Sequence, residues 1–187
     1  MRIARRAGYT LIEIMVVITL IGLMVRIAVP KVNINKYRVD AAARVARGAL
    51  QQAGRLSVQR QFDVLVVFDT AQSGINIIED NNNNGVIDPG ERILYKALEE
   101  GSHFATPPYG ISGTVTAAII GGAVGKVGGM PAVTFHRDGA SSTDLQLYMT
   151  SRVGSTTDYR GITLVQSTGR TDWYRYAGSN KWNAGGL

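Results

Sequence analysis

The feature that most constrains this chain is an apolar run from Leu11 to Val29, broken by the polar side chains of Glu13, Thr19 and Arg26. A stretch of about 19 residues rises roughly 28 Å as an α-helix, close to the thickness of a bilayer core. A helix apolar on all sides needs lipid or other helices around it. Arg2, Arg5 and Arg6 precede the run, and a positive flank stays on the cytoplasmic side, which directs the carboxyl-terminal bulk outward. No A-x-A-like cleavage site follows, so the run is not discarded as in an ordinary secretory signal.

Glu13 lies just inside this run, where an ionised carboxylate is expensive and is expected to find a partner. Arg26, near the other end, can snorkel to the interface. Pro30 closes the run and can kink a long helix where it leaves the bilayer.

Composition narrows the function classes. The chain has no Cys, which removes both a disulfide framework and a thiol nucleophile. His103 and His136 are its two histidines and no nucleophile-elbow sequence is present, so catalysis is unsupported. The formal charge is +6, of which Arg2, Arg5 and Arg6 supply half. The residues beyond the apolar run suffice for one modest domain with its own core.

Past Pro30, Val39, Ala42, Ala46, Ala49, Ala53 and Leu56 recur at spacings of three or four, which predicts a helix with one small-residue face. Lys36, Arg38, Arg44, Arg47, Arg55 and Arg60 flank that face, with Asp40 the acid among them. They form either a solvated surface or a contact for acidic neighbours. After Phe62 the pattern changes to short apolar blocks at 63–69, 74–78, 92–95, 114–116, 132–135, 145–148 and 161–165. Turn residues between them suit an antiparallel sheet. The predicted fold is α+β: a long amino-terminal helix over 9–62, membrane-spanning over about 9–29, and a β-rich head over 63–187, without repeats or a second domain.

Residues 80–91 have calcium-loop spacing: side-chain oxygens at Asp80, Asn82 and Asn84, a sharp turn at Gly85, the carbonyl of Val86, then Asp88 and a bidentate Glu91. Asn-Gly and Asp-Pro-Gly are also strong turn formers, so a polar hairpin loop without metal is the alternative. The Gly-rich stretch 121–129 fails as a phosphate loop, because Ile120 stands at its first Gly and Val127 replaces the hydroxyl residue after Lys126. It reads as a flexible loop between strands. Toward the carboxyl terminus, Arg152, Arg160, Arg170, Arg175 and Lys181 interleave with Tyr159, Trp173, Tyr174, Tyr176 and Trp182. Cations beside stackable aromatics are the ingredients of nucleic-acid binding. The other reading is a final strand with aromatics packed inward and arginines facing solvent.

The junction Gly8-Tyr9-Thr10-Leu11-Ile12-Glu13 resembles the class III signal of type IV prepilins and pseudopilins, with Tyr9 where the family usually has Phe. The resemblance implies a leader over 1–8, cleavage by prepilin peptidase between Gly8 and Tyr9, and N-methylation of Tyr9. It also gives Glu13 and Pro30 assembly roles, with Glu13 meeting the methylated amino terminus of an adjacent subunit. The order of the later blocks is similar to the GspH/FimT family of minor pseudopilins and minor pilins, through 80–91 before a strand and Gly161 to Arg170. The implied protein is a non-enzymatic subunit of the bacterial inner membrane with a periplasmic head. It would assemble with other minor pilins or pseudopilins into a type IV pilus or a type II secretion pseudopilus. Some members of the fimbrial branch bind DNA in natural transformation through a basic carboxyl-terminal region, which would put Arg160, Arg170, Arg175 and Lys181 at the DNA, although Asp172 intrudes.

Overall fold

The computed structural model describes residues 8–28, 34–121, 125–151 and 158–185. Residues 1–7 of the expected leader, Pro30 and Arg152 lie outside the described residues. The chain divides into two compact units, Met1–Ile34 and Asn35–Leu187.

In the first unit, helix α1 spans Leu11–Ala28. Thr10 caps it: its hydroxyl and its carbonyl both accept from the Glu13 N–H, at 3.2 and 3.1 Å, which meets one of the donors a helix start leaves unpaired. Thr19 returns its hydroxyl to the carbonyls of Met15 and Val16 at 3.0 and 2.8 Å, so its polarity is satisfied within the helix. The cap starts α1 at Leu11, and Val29, the last residue of the expected span, lies outside the described residues. Among the described residues no helix is long and apolar enough to cross a membrane. The 18 residues of α1 rise about 27 Å against a hydrocarbon core of about 30 Å.

In the second unit, α2 (Ile34–Arg60) buries Val39, Ala42, Ala43, Ala46, Ala49, Leu50, Ala53 and Ser57, the expected stripe widened by Ala43, Leu50 and Ser57, with Leu56 only partly buried against the core. It ends as Gln61 takes a left-handed φ of 60° and donates to the Ser57 carbonyl at 3.0 Å. Among the described residues eleven strands follow: β1 (Asp63–Asp69), β2 (Gly74–Asp80), β3 (Arg92–Ala97), β4 (Ser102–Phe104), β5 (Ile119–Gly121), β6 (Gly125–Val127), β7 (Met130–Phe135), β8 (Leu145–Ser151), β9 (Arg160–Leu164), β10 (Thr171–Gly178) and β11 (Lys181–Ala184). One sheet runs β3-β2-β1-β7-β6, the other β11-β10-β9-β8-β4, with β5 also paired to β8. Every pairing is antiparallel.

The alanine stripe of α2 lets both sheets approach it. Val64, Val66, Phe68, Ile75, Ile77, Val133 and Phe135 from one sheet join Leu145, Leu147, Met149, Ile162, Leu164 and Trp173 from the other in a single core with the helix. β1 reads as continuous apolar sequence because both its faces are covered: Leu65 and Val67 point away from α2 and pack with Ile78, Ala132, Ile87, Val127 and Met130.

Two expectations require correction. Residues 114–116 are not a strand, because a tight turn bridges Gly110 and Gly113 and Val115 folds over Gly110 where a Cβ would stand. The Gly-rich stretch is not merely a flexible loop: β6 pairs with β7 through Gly128 and Gly129, whose φ values of 58° and 82° suit a two-residue hairpin turn.

Candidate functional site

At the amino-terminal junction, Gly8, Tyr9 and Thr10 precede α1 without regular structure, and Tyr9 is 81 % exposed. Glu13 sits in the first turn, where its charge complements the helix dipole, and its side chain is exposed. Thr10-x-x-Glu13 is therefore also a capping pattern. This local role was legible in the sequence but was hidden behind the membrane argument. Every described side chain from Gly8 to Arg26 is exposed, including Leu11, Ile12, Met15, Ile18, Leu20, Ile21 and Leu23. So large an apolar surface is the mark of an interaction site.

The 80–91 loop joins β2 to β3. Asp80 is fully buried and accepts from the N–H groups of Asn84 and Gly85 at 3.1 and 2.7 Å. Asn82 Oδ1 accepts from the Asn84 N–H at 3.2 Å, and Asn84 Oδ1 from the Val86 N–H at 2.8 Å. The amides of Asn82 and Asn84 both donate to Asp88, at 2.8 and 2.6 Å. Those amide donors, Asn82 first, hold the Asp88 carboxyl below the usual carboxylate range. Glu91 accepts from the Asp88 N–H through Oε2 at 3.0 Å, while its Oε1 is buried without a partner. Asn83, outside the predicted ligand set, ties the loop to the head by accepting from the Asp63 N–H at 2.7 Å. Among the described residues, no three His, Cys, Asp or Glu side chains are gathered closely enough to hold a metal by themselves. An ion here would also need the asparagine and backbone oxygens.

The carboxyl-terminal cations are not a common surface. Arg160 is 1 % exposed and donates through Nε to Asp40 of α2 at 2.5 Å and through Nη1 to the Tyr159 carbonyl at 2.9 Å. Arg175 reaches the other Asp40 oxygen at 3.1 Å. Arg170 pairs with Asp172 at 2.9 Å, and Lys181 is exposed on β11. Asp40 thus acts as the anchor between helix and sheet, a role that sequence reading missed because its partners lie 120 and 135 residues away. The aromatics pack on one another instead of standing free: Trp182 makes tilted ring contacts with Tyr148 and Tyr176 at 5.6 and 5.1 Å and donates to the Tyr109 carbonyl at 2.9 Å. Beneath it the Tyr148 hydroxyl, raised above its ordinary pKa by burial, donates to Gln146 and accepts from Ile111.

A capped apolar helix with an open surface thus precedes a second helix packed on two antiparallel sheets. Residues 3–25 match the prokaryotic N-terminal methylation motif. The pilin-like protein PilA1 of Thermus thermophilus is 32 % identical over 87 residues, which is 46 % of this chain and 56 % of that protein. The chain therefore spans little more than half the length of this relative. Among solved structures, the minor pseudopilin EpsH from the type 2 secretion system of Vibrio cholerae matches 76 % of this chain and 99 % of its own with a TM-score of 0.51 at 12 % identity, a likeness of fold. The type IV minor pilin FimU of Pseudomonas aeruginosa aligns over 78 % of this chain and 92 % of its own, with a TM-score of 0.48 at 13 % identity. Over these segments the chain is similar to type IV pilin-like proteins.

Proposed function

We propose that this chain is a non-enzymatic minor pilin or pseudopilin of the GspH/FimT kind, held in the inner membrane by α1 with its head in the periplasm. Prepilin peptidase cuts between Gly8 and Tyr9 and methylates Tyr9. The subunit then joins other minor pilins or pseudopilins in a type IV pilus or a type II secretion pseudopilus. The observation that carries this reading is the methylation-motif match over 3–25 on a helix that begins two residues after Tyr9 and keeps its apolar side chains uncovered. Within the filament those side chains would exchange lipid for neighbouring helices, and Glu13 would meet the methylated Tyr9 amine of an adjacent subunit in a low-dielectric core. Mass spectrometry of the chain co-expressed with a prepilin peptidase tests the processing: the expected product begins at N-methylated Tyr9. An uncut chain, or one cut elsewhere, contradicts the reading.

A second reading concerns the 80–91 loop, where the buried and unpartnered Glu91 Oε1 favours a calcium ion. Asp80, Asn82, Asn84, the Val86 carbonyl, Asp88 and Glu91 would hold it, and the ion would neutralise their carboxylates and brace the β2–β3 turn. Calorimetric titration of the detergent-solubilised chain should show calcium binding that Glu91→Gln abolishes. Absence of heat at millimolar calcium leaves the loop as a hydrogen-bonded turn. The alternative function, DNA capture, would have to draw on Arg170 and Lys181, since Arg160 and Arg175 are held by Asp40.

A further inference from the structure

The sequence holds a single Asn-Gly step, Asn84-Gly85, and both residues are exposed in the loop between β2 and β3. An asparagine followed by glycine is open to attack on its own side chain, because glycine has no Cβ to shield its backbone nitrogen and rotates freely. Around Gly85 the space is clear: a Cβ there would meet nothing within 4 Å. Asn81, Asn82 and Asn83 are each followed by another asparagine, whose Cβ does shield the nitrogen. What restrains the Asn84-Gly85 step is hydrogen bonding on both reacting groups. The nucleophile, the Gly85 N–H, donates to Asp80 Oδ2 at 2.7 Å, and Asp80 is fully buried. The electrophile, the Asn84 amide, is held at both ends: Oδ1 accepts from the Val86 N–H at 2.8 Å and Nδ2 donates to Asp88 at 2.6 Å.

We infer that Asn84 is a site of spontaneous deamidation gated by Asp80. In the reaction the Gly85 nitrogen loses its proton and attacks Asn84 Cγ. The new C–N bond closes a cyclic imide as the bond from Cγ to Nδ2 breaks, and ammonia leaves carrying the proton. Solvent water then opens the ring at either carbonyl, which leaves an aspartate or a backbone-shifted isoaspartate at position 84. The Asp80 carboxylate opposes the first step, since its negative charge disfavours loss of the Gly85 proton and its hydrogen bond holds the nitrogen in place. The product changes the loop permanently: a carboxylate stands where Nδ2 donated to Asp88, so two like charges face each other and the β2–β3 turn is driven to open. The reaction needs water and no metal, so it is independent of the calcium reading.

The test follows position 84 by peptide mass mapping of the full chain, held in detergent micelles with a calcium chelator, and scores the amide-to-acid mass gain and isoaspartate. The native chain is expected to convert at least about tenfold more slowly than the same chain unfolded in urea, the size of one hydrogen bond to a charged group. Asp80→Ala should lose that protection while tryptophan fluorescence still reports a folded head. If Asp80→Ala does not fold, Asp80→Asn carries the test, because it keeps the shape but offers one oxygen where two backbone amides now bind. Equal rates at Asn84 in native and unfolded wild type overturn the gating, and a folded Asp80 variant as protected as wild type removes Asp80 from it. An Asn84 that stays unconverted even in the unfolded chain overturns the site itself.

Discussion

The two helices of this chain solve opposite problems. In α2 the apolar positions are mostly alanines confined to one stripe, buried at 0–2 % exposure, with Arg44, Arg55 and Arg60 exposed. In α1 large aliphatic side chains cover the surface, and Leu11, Ile12, Ile18 and Met24 remain between 62 and 79 % exposed. The partners of α2 are encoded in its own chain, as two sheets, whereas the described side chains of α1 stay exposed, an interface that the proposed function would complete with lipid or another subunit. On the proposed function, one sequence contains a helix finished by folding and a helix finished by assembly.

That contrast predicts an unequal response to mutation. The largest effect should come from Arg160→Ala, which leaves Asp40 half-compensated at the helix–sheet junction. We expect a loss of about 3 kcal/mol, within the range for breaking a buried pair, measured by denaturant unfolding of the head signal. Arg175→Ala, removing the partner that is 54 % exposed, should cost no more than about 1 kcal/mol. Equal losses for the two would break the account of Asp40. Next comes Ala46→Leu, which overfills the α2 stripe and should cost about 1–3 kcal/mol. Ile18→Leu, on α1, should leave head unfolding unchanged, and a matching loss there would erase the distinction between the helices.

Much of this was legible from residue order. The 3.6-residue spacing of the alanines located the buried face of α2, and β1 was bounded at Asp63 and Asp69 because flanking acids close an apolar block. The shorter strands β4, β5 and β6 were not legible, since three-residue segments carry too little pattern and exist through pairing with β8 and β7. The carboxyl-terminal arginines were ambiguous for a different reason. Whether an arginine is a surface cation depends on an acid more than a hundred residues away, and periodicity does not report that. The Thr10 cap, by contrast, lies in plain view as Thr-x-x-Glu.

A smaller effect is expected at Thr10. Thr10→Ala should weaken the start of α1 by about 1 kcal/mol, read as faster amide exchange at Glu13 and Ile14, with no change in head stability. The smallest lies at Asp88. Its carboxyl is held below the usual range by Asn82 and Asn84, so its contribution is fully present above the unfolded-state value and is lost as pH falls through the lower folded-state value. Exchange protection of the Asn82 and Asn84 side-chain amides, which donate to Asp88, should therefore be flat through neutral pH and fall only in strong acid, and Asp88→Asn should flatten that dependence.

The claim that α1 is completed outside its own chain is tested most directly by comparing wild type with Glu13→Ala in cells that carry the cognate assembly machinery, quantifying the protein in inner-membrane and sheared-filament fractions. The account predicts that the variant reaches the inner membrane at wild-type level and disappears from the filament fraction. Recovery of Glu13→Ala in filaments at wild-type abundance would contradict it.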